Sequence, residues 1–230
     1  MRRKAVIVLV IVFILAIGYG VFSRYVNIIS FCTEDIDQKG PREIILLTGE
    51  SGSEYGNKLV ILSLSGDEVI RQFPLEGLKP WKIQTADVDG DNKRELSIGV
   101  YKTARFHDVE DKRPFLYNLY PDGLSPKWLG SRLSRPFTDY VFGDVDQDGC
   151  DELISIETLS SGEKVIHAYR WKGFGFESAG ESQPFQDISQ IKTASGHNGS
   201  GPEIHASVSL EQKWKKIVLV YEESQIIVKE

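Results

Sequence analysis

Past residue 40 the chain alternates short apolar runs with clusters of turn-forming residues. Ile44–Leu47, Leu96–Val100, Leu153–Ile156 and Ile204–Val208 each follow a glutamate and are too short for a stable helix, so each predicts a strand. Leu59–Leu64, the turn Ser65-Gly66-Asp67 and Val69–Phe73 predict a hairpin. Phe115–Tyr120 runs into Pro121-Asp122-Gly123, and Val165–Trp171 ends at Lys172-Gly173. Ile217–Tyr221 turns through Glu222-Glu223-Ser224 into Ile226–Val228. No amphipathic helical period is found in this part of the chain, so it reads as all-β.

The first two dozen residues follow another pattern. Met1-Arg2-Arg3-Lys4 is basic, and Ala5–Phe22 is a run of 18 residues without a charge. A bilayer core about 30 Å thick needs roughly 20 apolar residues as a helix, with a lower limit of about 17. Residues 5–22 therefore predict one N-terminal transmembrane helix. The run exceeds the apolar region of about 7–15 residues usual in a signal peptide. Its exit is bulky, with Tyr19, Val21, Phe22 and Tyr25. The alternative is a secreted chain, cleaved near Ala16-Ile17-Gly18 or Gly18-Tyr19-Gly20. The basic N-terminus predicts that residues 1–24 form a cytoplasmic tip and anchor, with residues 25–230 extracytoplasmic.

Charge narrows the partners. Of a formal net charge of −6, Arg2, Arg3, Lys4 and Arg24 contribute +4, leaving −10 on the rest. An acidic domain without a basic stripe excludes nucleic acid as an expected partner. The two cysteines, Cys32 and Cys150, are too few for a disulfide framework.

A repeat organises the polar positions. Asp87-Val-Asp-Gly-Asp-Asn-Lys-Arg-Glu95-Leu96 aligns with Asp144-Val-Asp-Gln-Asp-Gly-Cys-Asp-Glu152-Leu153 at an offset of 57 residues. Aspartate holds positions 1, 3 and 5, a turn residue position 6, and glutamate position 9. A copy 52 residues upstream, Asp35–Glu43, has Lys39 at position 5. A copy 51 residues downstream, Ser195–Glu203, keeps only the glutamate and the apolar residue after it. Four units of about four short strands each predict a small β-propeller of about four blades, with each loop joining a blade's entry strand to its next strand; the alternative is an open array or half of a larger ring completed by a dimer.

The two intact loops resemble the FG-GAP/VCBS repeats of integrin-type propellers. Asn92 replaces the family's glycine at position 6 of the first loop, a mild departure because asparagine tolerates a left-handed backbone. The resemblance implies a calcium ion in each loop. The first would be held by Asp87, Asp89, Asp91, the Lys93 carbonyl and Glu95, the second by Asp144, Asp146, Asp148, the Cys150 carbonyl and Glu152. Four carboxylates within nine residues repel one another without a cation, and calcium accepts six to eight oxygen ligands. Magnesium demands stricter octahedral geometry, and an EF-hand needs a glutamate at position 12, where this chain has Ile98 and Ser155.

No zinc-type histidine spacing, nucleophile elbow or phosphate loop occurs in the sequence. His167 reads as a packed or surface strand residue, and the tryptophans as packing between blades. The polar stretch Lys102–Pro114 reads as the longest insertion and a candidate partner-binding surface. The expectation is a membrane-anchored, calcium-binding, non-enzymatic module for a protein or glycan partner. Alternatives are a polysaccharide- or lipid-acting enzyme on a propeller scaffold, or an accessory subunit of an envelope complex.

Overall fold

The computed structural model describes residues 26–36, 38, 40–64, 68–105, 107–120, 123–130, 133–196 and 201–229. The expected anchor over residues 5–22 lies outside them. Among the described residues no helix is long and apolar enough to cross a membrane.

The fold is all-β. Four four-stranded antiparallel sheets follow one another along the chain, the blades of a small β-propeller. The first holds β1 (Val26–Glu34), β2 (Glu43–Glu50), β3 (Lys58–Leu62) and β4 (Val69–Pro74). The second holds β5 (Pro80–Ala86), β6 (Glu95–Ala104), β7 (His107–Tyr120) and β8 (Gly123–Trp128). The third holds β9 (Phe137–Gly143), β10 (Glu152–Thr158), β11 (Lys164–Trp171) and β12 (Phe176–Glu181). The fourth holds β13 (Asp187–Ala194), β14 (Glu203–Leu210), β15 (Lys213–Glu222) and β16 (Gln225–Val228). Within each sheet the spatial order is the sequence order, so every connection is a local turn. The described chain divides into two compact units, one ending at Ile83 and taking back Ile98–Tyr101, the other comprising Gln84–Ser97 and Lys102–Glu230.

The second strand of each blade lies between two neighbours. The first six residues of β6 and of β10 are all buried, on both faces, with Ser97 and Ser155 among the apolar residues. In the larger unit, Ile154, Ile156 and Ile166 of the third blade join Ile188, Ile204, Val208 and Leu219 of the fourth in one core. Each such side chain contributes about 1.5–3 kcal/mol on burial.

The repeat extends into the pairing register. The entry strands of the first, third and fourth blades each leave one residue unpaired against the second strand, at Ile29, Thr138 and Ser189. Each lies six residues before position 1 of its loop, at Asp35, Asp144 and Ser195. A bulge there bends the entry strand and raises its local twist.

The stretch Lys102–Pro114 is a correction. It is not an irregular insertion but the extended end of the β6–β7 hairpin. Its buried Arg113 donates from Nε to the Lys102 carbonyl (2.7 Å) and from a terminal nitrogen to the Val109 carbonyl (3.1 Å). Pairing of the hairpin satisfies a backbone that a loop would leave to water.

Candidate metal centre

The aspartate loops join the first and second strands of their blades, as expected from the repeat. Three of them share one backbone form. Position 4 is left-handed at Gln38 (φ 55°), Gly90 (72°) and Gln147 (63°), and position 6 has positive φ at Gly40 (129°), Asn92 (61°) and Gly149 (91°). Such angles are costly for most residues, which explains the Gly and Asn found there, while Gln38 and Gln147 bear the cost.

Side chains at positions 1 and 9 hold that form. The N–H of position 2 donates to Oε2 of the position-9 glutamate in each loop: Ile36 to Glu43 (2.9 Å), Val88 to Glu95 (3.1 Å) and Val145 to Glu152 (3.1 Å). The N–H of position 6 donates to Oδ2 of the position-1 aspartate: Gly40 to Asp35 (3.2 Å), Asn92 to Asp87 (2.9 Å) and Gly149 to Asp144 (3.2 Å). These bonds account for the survival of Asp35 and Glu43 in the first blade. Asp37 and Lys39 of that loop, and residues 197–200 of the fourth, lie outside the described residues.

Among the described residues two acidic groups have oxygens turned toward a common point. Single oxygens of Asp87, Asp89 and Glu95 lie within 4.8 Å of one another, and so do those of Asp144, Asp146 and Glu152. Asp91 and Asp148 stand outside these groups and are about half exposed. Asp91 accepts the Lys93 N–H (2.7 Å), and Asp148 accepts the Cys150 N–H (2.8 Å). Burial, then the Asp148 charge, pushes the Cys150 thiol up to about 11, so its sulfur is protonated at neutral pH. Cys32 and Cys150 are both free.

The two loops are bonded to each other. Asp151 N–H donates to the Asp87 carbonyl (2.7 Å), and Asp87 N–H donates to the Asp151 carboxylate (2.9 Å). Arg94 donates to the same carboxylate oxygen (2.8 Å) and to the Thr85 carbonyl (3.1 Å).

Two cations missed in the sequence complete the picture. Lys127, near the end of β8, donates from Nζ to Asp89 Oδ2 (2.5 Å) and to Glu95 Oε1 (2.6 Å). Burial alone would lower its pKa, but those two bonds outweigh it and the net shift is upward. Glu95 is raised by burial, against the pull of Lys127. Arg170, in β11, donates to Asp146 Oδ2, while its Nε lies 3.5 Å from Glu152 Oε1. Among the described residues Glu152 Oε1 has no hydrogen-bond partner, although Glu152 is only 1% exposed. Burial, then the Asp146 charge, raises Glu152 to about 7. A buried carboxylate oxygen beside two aspartates is suited to a hard cation, which takes oxygen ligands.

A second polar cluster lies in the third blade, built on His167, read from the sequence as a packed or surface strand residue. His167 is 4% exposed, with Nδ1 3.1 Å from Glu157 Oε2 and Nε2 2.7 Å from Ser178 Oγ. Tyr169 donates to Glu157 Oε1, and Arg135 lies 3.3 Å from Glu157 Oε2. With Glu157 and Tyr169 buried, this network holds strands together rather than facing a ligand. Trp128 and Trp171 pack against Phe176 at ring distances of 5.1 and 5.3 Å, whereas Trp214 is 55% exposed.

No known family and no curated protein matches the chain by sequence. Among solved structures it is similar to the crystal structure of the exotype rhamnogalacturonan lyase YesX, with a TM-score of 0.49 and 12% identity. The match covers 87% of this chain and 48% of that one, so this chain spans about half the length of the lyase.

Proposed function

We propose that this protein is a calcium-binding β-propeller module of the FG-GAP/VCBS type, held at the outer face of a membrane by residues 5–22 and acting as a binding or scaffolding domain. The observation that carries the calcium reading is Glu152 Oε1, buried and without a hydrogen-bond partner beside Asp144 and Asp146. Asp144, Asp146 and Glu152 would hold the ion, which supplies positive charge and oxygen coordination at a junction of strands. Position-1 and position-9 side chains already tie the loop backbone, so the ion locks a formed loop and its effect is on stability.

The test is thermal melting of the full chain in detergent, in millimolar calcium against chelator. Extracellular calcium modules bind at about 10⁻⁴–10⁻³ M, so a millimolar range is required. At a free concentration of 100 times Kd, ligand linkage contributes about 2.7 kcal/mol. A clear rise in Tm with calcium, lost in Glu152→Gln, is the expected result. Equal melting in calcium and chelator overturns the reading.

A further inference from the structure

We infer that the loop Asp87–Glu95 is neutralised by the ammonium of Lys127 instead of a metal ion, so that the two intact loops hold different cations: a tethered lysine in one and calcium in the other. The inference rests on the calcium reading of Asp144–Glu152 and specifies it. In both loops Oε2 of the position-9 glutamate and both oxygens of the position-1 aspartate accept loop N–H groups, so the loops are distinguished by their remaining oxygens, among them Asp89 Oδ2 and Glu95 Oε1 in the first. Lys127 Nζ bonds both free oxygens at once. Its side chain is 13% exposed and that of Glu95 4%, so the pair is largely shielded from competing water. An ion placed among those oxygens would meet a positive charge at hydrogen-bond distance.

The fourth blade supplies an independent parallel. Its loop has lost the aspartates, yet Glu203 remains, and Lys229, just past the end of the outermost strand, donates to Glu203 Oε1 (2.7 Å). Lys127 likewise comes from the end of the outermost strand of its blade. In both blades, then, a lysine from that end takes the position-9 glutamate. The third blade departs from this pattern. Its cation is Arg170, from the third strand, which hydrogen-bonds Asp146 and leaves Glu152 Oε1 without such a bond. The arginine side chain is 32% exposed, with room to withdraw toward solvent as an ion enters.

The experiment is calcium titration by calorimetry of the full chain in detergent, with Glu95→Gln and Glu152→Gln alongside. Both substitutions keep an oxygen for the position-2 N–H, so the loop backbone is retained. The expected result is one ion in the unsubstituted protein, one in Glu95→Gln and none in Glu152→Gln. Two ions in the unsubstituted protein, or loss of binding in Glu95→Gln alone, overturns the inference while leaving the calcium reading intact. Binding of no ion at all removes the calcium reading. The lysine pair is then decided by a double-mutant cycle of Lys127→Met and Glu95→Gln in chelator, where coupling sustains it and additivity overturns it.

Discussion

The loops Asp87–Glu95 and Asp144–Glu152 have matching aspartates and glutamates and the same bonds from the N–H groups of positions 2, 6 and 7, yet they differ where it matters for an ion. In the first, the free oxygens of Asp89 and Glu95 share the Lys127 ammonium at 2.5 and 2.6 Å. In the second, Glu152 keeps a buried oxygen without a hydrogen bond. A motif defined by its carboxylates therefore specifies a negatively charged, left-handed turn, and the cation that completes it is chosen elsewhere in the blade. The loop framework is one property and metal occupancy another, and the first blade, with its Asp35 and Glu43 bonds, has the framework with a lysine inside its aspartate series.

The largest effect that divides the two loops is expected from removing their internal cations. Lys127→Met strands the nearly buried Glu95 charge, and loss of one partner of a buried pair costs about 3–5 kcal/mol. Arg170→Met removes a charged hydrogen bond from a side chain one-third exposed, worth about 1.5–3 kcal/mol, and calcium compensates for it. Denaturant unfolding of both variants in chelator and in calcium tests this. Equal losses in chelator would break the distinction between the loops.

The next effect is one of sign. Glu152 has its folded pKa raised from 4.5 to about 7, first by burial and then by Asp146. The folded state therefore binds this proton more tightly than the unfolded state does. Stability from the group is full below about pH 4.5 and is lost as pH rises through about 7. In chelator at pH 8, Glu152→Gln should be more stable than the unsubstituted protein by up to about 3 kcal/mol, since each pKa unit is about 1.4 kcal/mol. Near pH 4.5 the two should converge. Glu95→Gln should go the other way and destabilise at pH 8, because it leaves Lys127 short of a carboxylate. Chemical denaturation across pH 4.5–8 reads both signs.

How much of this was legible in the sequence follows from the range of each interaction. Loop positions 1 and 9 form local bonds over seven residues or fewer, and the strands after them are buried on both faces, so both show as a period and an apolar run. The entry strands were not legible. Phe137–Gly143 alternates buried and partly exposed residues across a bulge, which interrupts a period of two. Lys102–Pro114 is polar because it forms a hairpin end exposed on both faces, with Asp108, Val109 and Glu110 all exposed, so polarity concealed its pairing. Lys127 lies 32 residues from Glu95, and Arg170 lies 24 from Asp146. Only the folding of the blade gives those separations a meaning, and no motif marks either residue.

The smallest effect concerns the glycines, which the two loops place differently. The loop Asp87–Glu95 has Gly90 at position 4 and Asn92 at position 6, whereas the loop Asp144–Glu152 has Gln147 and Gly149. Gly90 has φ 72°, and a methyl group there would lie 3.0 Å from Cys150 Sγ of the other loop. Gly149 has φ 91°, with nothing within 4 Å of such a methyl. Alanine at either position incurs left-handed strain of about 1–2 kcal/mol. Gly90→Ala adds a contact that Cys150, whose thiol is hydrogen-bonded to Asp148, yields to with difficulty. Gly90→Ala should therefore destabilise more than Gly149→Ala, and the excess should vanish in a Cys150→Ala background. An excess that persists without the thiol would mean that the position-4 strain itself differs between the loops, and that their shared backbone form is less uniform than their hydrogen bonds indicate.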